Sequence, residues 1–180
     1  MTIEEKIRPN LIYNVGARLS KILKTSGTNN DGEHLYYIKA KEIEKVTFSS
    51  TLYNAVMYYA FDEEGNNVSR VLVKVGSRPG TVKLEYGTEI EYQNKGNVTL
   101  LAREAIRDVF EKGLLDGVRI TRDGPVTSVE LMAVDIDPYN IPSQRVAEKL
   151  GFDGNGYMRK EDYFRLKEEQ SSSVRKPMKK

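Results

Sequence analysis

The apolar period of this chain changes at Gly96. Before it, Val71, Val73 and Val75 alternate, the spacing of a strand with two unlike faces. After it, Val98, Leu101, Ala105, Ile106, Val109 and Phe110 recur every three or four residues, the spacing of an amphipathic helix. The segment between the two regimes is Thr88-Glu-Ile-Glu-Tyr-Gln-Asn-Lys-Gly96-Asn-Val-Thr, a short polar turn with a single glycine. A strand therefore has to run almost directly into a helix. That requirement points to an α/β fold with a mixed sheet and a layer of helices.

Three strand signals precede the junction. Leu52–Phe61 is rich in Tyr, Val and Met, and Asp62-Glu-Glu-Gly-Asn-Asn follows it as a turn. Val68–Val75 and Val82–Tyr92 are the second and third strands, joined through Ser77-Arg-Pro-Gly80. An antiparallel meander over about 52–92 is the expectation. Upstream, Leu11–Leu19 fits a strand or a short helix, Thr25–Gly32 a loop, and Leu35–Val46 a helix capped near Asp31. Downstream, Gly113 and Gly117 stand where the helix should end, and Asp123-Gly-Pro125 is a turn. Ser128–Val134 is a buried strand. A helix then begins near Pro142 and ends before Gly151, and Met158–Leu166 forms one or two last strands. The order is helix, meander, helix, strand, helix, strand, in a single domain over 1–166.

Composition enters mainly by what it excludes. With no cysteine there is no disulfide framework, thiol nucleophile or cysteine zinc site, and one histidine, His34, leaves little for a metal site or a serine triad. No metal cofactor is expected. No apolar run approaches the roughly 20 residues of a membrane span. The first residues lack the apolar stretch of a secretory signal, so a cytoplasmic protein without membrane attachment is expected. The net charge of +2 resides in the tail, because residues 1–166 carry 23 bases against 24 acids. The basic segment 167–180, with Ser171-Ser-Ser and Pro177, has the composition of a disordered end. Nucleic acid is an unexpected partner except through that tail.

The turn at Gln93–Gly96 can present unpaired backbone N–H groups at a helix N-terminus, where the helix dipole also favours an anion such as phosphate. Gly96 would let the backbone come close to a ligand, and Lys95 could pair with a phosphate oxygen. It has neither the spacing of a Walker loop nor the glycines of a dinucleotide fingerprint.

The second half carries Asn140-Ile-Pro-Ser143-Gln-Arg-Val-Ala-Glu-Lys-Leu-Gly151-Phe152 after a strand. This segment resembles the C-terminal half of GNAT acetyltransferases, most closely the subgroup similar to ribosomal-protein N-terminal acetyltransferases. Gln93-Asn-Lys-Gly96-Asn-Val98 resembles the turn by which that family holds the pyrophosphate of CoA. The likeness covers about residues 82–160. It implies an N-acyltransferase that moves an acetyl group from acetyl-CoA to a primary amine, either a protein N-terminus or a small molecule. The cofactor site it implies comprises Gly87, Thr88, Glu89, Gln93, Asn94, Lys95, Gly96, Asn97, Val98, Thr99, Asn140 and Ser143. Asp135 and then Glu89 are the candidate bases, and Ser143 is the candidate acid toward the departing thiolate. Family members often form dimers, so a homodimer is a candidate assembly.

Three residues depart from the family pattern. Val98 stands where Gly or Ala is preferred, Leu100 where the subgroup often has Glu, and Ala147 where many relatives carry a Tyr. They motivate a second reading, a catalytically weak or inactive module that binds CoA or a protein partner. The basic tail motivates a third, an acyltransferase acting on RNA.

Overall fold

A computed structural model describes residues 1–12, 18–45, 52–112, 125–132 and 137–174. Its elements are α1 (Ile3–Ile12), β1 (Arg18–Thr28), β2 (His34–Lys45), β3 (Leu52–Phe61), β4 (Asn67–Val75), β5 (Thr81–Thr88), α2 (Asn97–Arg107), β6 (Ser128–Leu131), α3 (Ile141–Leu150), β7 (Tyr157–Arg159) and α4 (Lys160–Val174). The seven strands form one mixed sheet in sequence order. Every neighbouring pair is antiparallel except β5 and β6, which run parallel.

Alternation in the central strands gives the sheet two apolar faces. Val56, Tyr58 and Ala60 of β3 join Val71, Val73, Val82 and Leu84 in the larger core, which α2 covers with Val98, Leu101, Ala102, Ala105 and Ile106. Removing a Leu or Ile side chain of this kind from water contributes about 1.5–3 kcal/mol. Tyr59 and Phe61 face the other way and pack with Ile38 against Ile7 of α1.

The structure departs from the sequence expectations at both ends. Leu35–Val46 is not helical, because His34–Lys45 is a strand paired with β3 through ten positions, from Tyr36↔Phe61 to Lys45↔Leu52. Strand β2 buries Leu35 and Tyr37 on one face and Ile38 on the other. An apolar pattern with both faces occupied has no clean period of two, and it imitated a helix. Asp31, expected as a helix cap, lies in the β1–β2 turn instead, 3.8 Å from Lys95. The meander therefore has five strands rather than three. Strand β5 ends at Thr88, and Ile90–Tyr92 forms a 3-10 turn where strand was expected. At the C-terminus only Tyr157–Arg159 is strand, and α4 then carries the chain through Val174, across much of the segment expected to be disordered. The expected stops at Gly113, Gly117 and Asp123 fall outside the described residues. Among the described residues no helix is long and apolar enough to cross a membrane.

Helix α2 ends in a π turn, Asp108–Lys112. Asp108 is buried there and accepts from Lys39 Nζ and from the Tyr58 hydroxyl, each at 2.9 Å. Burial and the Asp108 charge together push the Tyr58 phenol far up. Burial, with the nearby Glu104 charge, also lifts Tyr37, to about 12.

Candidate functional site

Strands β5 and β6 are the parallel pair of the sheet. Strand β5 pairs with β4 along its whole length, from Val82↔Val75 to Thr88↔Ser69. Its described pairing with β6 stops at Leu84↔Leu131, one bond beyond which Met132 N–H reaches Leu84 C=O at 3.1 Å. Leu84 thus turns its carbonyl toward β6. Main-chain direction alternates along a strand, so Tyr86 and Thr88 face the β6 side as well. Gly87 and Glu89 face β4, and the Glu89 N–H donates to Val68 C=O at 3.1 Å. Of the three residues expected to offer main-chain groups, Thr88 is the one whose main chain faces the β6 side. Tyr86, which sequence reasoning passed over, shares its direction.

Beyond Thr88 the chain turns through Gln93 and Asn94, both exposed, and Asn94 adopts a left-handed φ of 63°. Gly96 caps α2 with φ 78° and makes no side-chain capping bond. The first bond of α2 joins Leu100 N–H to Gly96 C=O at 3.2 Å. Among the described residues the N–H groups of Asn97, Val98 and Thr99 meet no acceptor, as the first N–H groups of a helix have none within it. Their place at a helix N-terminus makes an anion the natural one.

Two hairpin tips hold this turn. From the β1–β2 tip, Asn30 N–H donates to Lys95 C=O at 2.9 Å, and Asn29 Nδ2 donates to Asn97 Oδ1 at 2.9 Å. Asn97 Nδ2 in turn donates to Tyr92 C=O at 3.0 Å. From the β3–β4 tip, Asp62 accepts from the Tyr92 hydroxyl at 3.0 Å. Partial burial works to raise the Asp62 pKa, but bonds from Asn66, Tyr92 and Glu64 outweigh it and hold the carboxyl below its usual range. Of the expected loop Thr25–Gly32, the first four residues belong to β1, which ends at Thr28, and the asparagines of the remaining tip carry no sequence signal of this support.

Three expectations about the turn change. Lys95 is engaged by Glu33 at 2.9 Å, and the bond to Glu33 keeps its ammonium above the ordinary pKa. A Cβ on Gly96 would lie 2.9 Å from Asn30 Nδ2, so the room its missing side chain leaves is taken by the β1–β2 tip. Val98 is 9% exposed and packs into the core, so its branches point away from the surface the N–H groups would offer.

After β6, Asn140 caps α3 through Oδ1, which accepts from Ser143 N–H at 3.3 Å. Asp137 is a turn residue, accepting from Tyr139 N–H at 2.9 Å. The helix closes with Gly151 at φ 93°, where Phe152 N–H returns to Ala147 C=O at 3.0 Å. Ser143 is buried, and the Tyr86 hydroxyl donates to its carbonyl at 2.9 Å and lies 3.2 Å from its Oγ. The signal for Tyr86 was present in the alternation Val82, Leu84, Tyr86, which puts it on the face that α2 and α3 cover. Glu89 is exposed at the rim, and Asp135 lies outside the described residues. Leu100 and Ala147 are partly buried against the core. No cluster of three metal-ligating side chains occurs among the described residues.

No family model matches this sequence, and no curated protein matches it. Among solved structures, the chain is similar to mutant forms of the spermidine/spermine N-acetyltransferase from Vibrio cholerae. That match has 15% identity and a TM-score of 0.45, covering 62% of this chain and 70% of that one. The spermidine N-acetyltransferase from the same organism, solved with CoA and spermine, matches at 15% identity and a TM-score of 0.44, over 61% of this chain and 68% of that one. A protein provisionally described as a phosphinothricin N-acetyltransferase matches at 23% identity and a TM-score of 0.40, over 57% and 65%.

Proposed function

We propose that this chain is an acyl-CoA-dependent N-acyltransferase of the GNAT type, moving an acetyl group from acetyl-CoA to a primary amine. The observation that carries the reading is the start of α2. Three first-turn N–H groups there have no partner among the described residues, beside a polar turn held by two hairpin tips. Such a helix start suits a diphosphate.

The donors fit the group. The main-chain N–H groups of Asn97, Val98 and Thr99 would hold the diphosphate, with Gln93, Asn94 and Gly96 shaping the turn around it. Thr88 and Tyr86 would pair with the pantetheine arm, with Asn140 and Ser143 across from them. When bound, acetyl-CoA supplies an acyl thioester. The chain's own tasks are then to take a proton from the amine, for which Glu89 and Asp135 are the carboxylate candidates, and to give one to sulfur, for which Ser143 Oγ is placed at a helix N-terminus. The reading extends to the subgroup similar to ribosomal-protein N-terminal acetyltransferases, with a protein N-terminus or a small amine as acceptor, in a cytoplasmic setting.

Calorimetry with acetyl-CoA tests the premise, and absence of binding at millimolar ligand removes it. Thiol release across a panel of amines and peptides then tests turnover. One observation favours a second reading, a CoA-binding or protein-interaction module without activity: Leu100 and Ala147 place only carbon against the core where relatives carry polar groups. Binding without thiol release on any acceptor would favour that module.

A further inference from the structure

The hydroxyl pair Tyr86–Ser143 links β5 to the first turn of α3. Tyr86 lies on β5 two residues past Leu84, where the described β5–β6 ladder stops. Ser143 lies in the first turn of α3, which follows β6 in the chain. The Tyr86 hydroxyl donates to the Ser143 carbonyl at 2.9 Å and accepts from Ser143 Oγ at 3.2 Å. Ser143 also has its N–H held by Asn140 Oδ1 at 3.3 Å. The serine is thus pinned at its N–H, its carbonyl and its hydroxyl. A plain helix-start serine capping its own turn would need none of the tyrosine contacts.

Resting on the acyltransferase reading above, we propose that Tyr86 is a positioning residue for Ser143, fixing its hydroxyl and resupplying the proton that it gives to the departing sulfur. As the C–S bond breaks, its electron pair leaves on sulfur, and the Ser143 Oγ–H, rotated off the Tyr86 oxygen that accepts it in the structure, gives its proton to that sulfur. The Tyr86 O–H proton, which swings from the Ser143 carbonyl to Oγ by rotation about the C–O bond, replaces it. Water then returns a proton to the phenol oxygen, and the amine's own proton leaves separately to its base. The position seven residues after Asn140 is Ala147, which has no proton to give. The hydroxyl pair brings one from the strand side instead.

The test compares Tyr86→Phe with wild type. Tyr86→Phe keeps the ring and removes one oxygen, so CoA affinity and melting temperature stay near wild type. Turnover falls on the order of 10²-fold, the lower end for loss of a proton donor. A second readout does not depend on turnover. The thiol of bound CoA, followed by its thiolate absorbance, ionises at higher pH in Tyr86→Phe and in Ser143→Ala than in wild type, because a hydroxyl donor to the thiolate is lost. The double variant is no slower than the slower single, and Ser143→Thr, which keeps a hydroxyl, recovers activity over Ser143→Ala. Wild-type turnover and thiol ionisation unchanged in Tyr86→Phe overturns the role of Tyr86 and leaves the acyltransferase reading standing. A wild-type protein that binds no CoA overturns both. If Tyr86→Phe does not fold, additive losses in the pair Ser143→Ala and Tyr86→Leu overturn it equally.

Discussion

The proposed phosphate seat would rest on three N–H groups, and proline can remove one of them without touching the helix ladder. Val98→Pro deletes the second of the three. The first bond of α2 is donated by Leu100, so no intrahelical bond is lost, and proline is tolerated in a first turn for that reason. Valine and proline carry the same number of side-chain carbons, so burial at this 9% exposed position changes little. The stability cost is then about 1 kcal/mol, the ordinary size of a point substitution. Affinity should fall by more. A hydrogen bond to a charged group contributes about 1.5–3 kcal/mol, which is roughly a 10- to 150-fold rise in Kd for CoA. Calorimetry with CoA and with pantetheine, which lacks the diphosphate, separates this donor from a general loosening. CoA should weaken and pantetheine should not. A folded Val98→Pro protein whose Kd for CoA stays within about threefold of wild type would refute the assignment, as would equal losses for the two ligands.

Three further outcomes test the frame around the site. Asp108→Ala should cost about 3–5 kcal/mol, because it strips a buried ammonium of its carboxylate partner. The double change Lys39→Met with Asp108→Leu should recover most of that loss in urea unfolding. Glu130 is buried, which works to raise its pKa, but bonds from Ser77 and Tyr157 win and hold it below the usual range. Its stabilisation is therefore complete above the unfolded carboxylate pKa of about 4.3 and is lost as pH falls through the lower folded value. Urea melts in that acid range should show the loss in wild type and a flatter profile in Glu130→Gln. Truncation after Val174 should leave melting and CoA affinity unchanged. Truncation after Leu166 should lower the melting temperature, because it removes Lys167, which pairs with Glu111.

How far the sequence could be read follows from how local each signal was. The strand–turn–helix junction at Gly96 and the start of α3 were legible because their cues lie within a few residues of one another. Asn140 caps, Pro142 follows, and Gly151 stops the helix in a left-handed conformation. Strand β2 was not legible, because its identity depends on partners twenty residues away and on burial of both its faces. The last strand signal was misread for a related reason. Tyr163 and Phe164 look like strand residues in a row, but on α4 they stack on each other at 5.2 Å, and Tyr163 reaches Phe110 at 5.1 Å. Charged neighbours at Lys160, Glu161 and Asp162 fit the exposed first turn of a helix rather than a strand end.

The same distinction explains why the site reads differently in three dimensions. The sequence put the emphasis on Lys95 and Gly96 as ligand contacts, since a lysine and a glycine beside a helix start invite that role. The structure gives Lys95 to Glu33 and the open side of Gly96 to Asn30. Both residues therefore support the turn, and under the proposed function the ligand contacts would fall to main-chain N–H groups that any residue but proline would supply at 97–99. The Val98 side chain belongs to the core, so the proposal asks of that position only its amide. It also moves the decisive departure from Val98 to Ala147. Whether the fold carries turnover then depends on a proton donor reaching the departing sulfur from somewhere other than position 147. The structure puts the Tyr86–Ser143 pair at the start of that same helix.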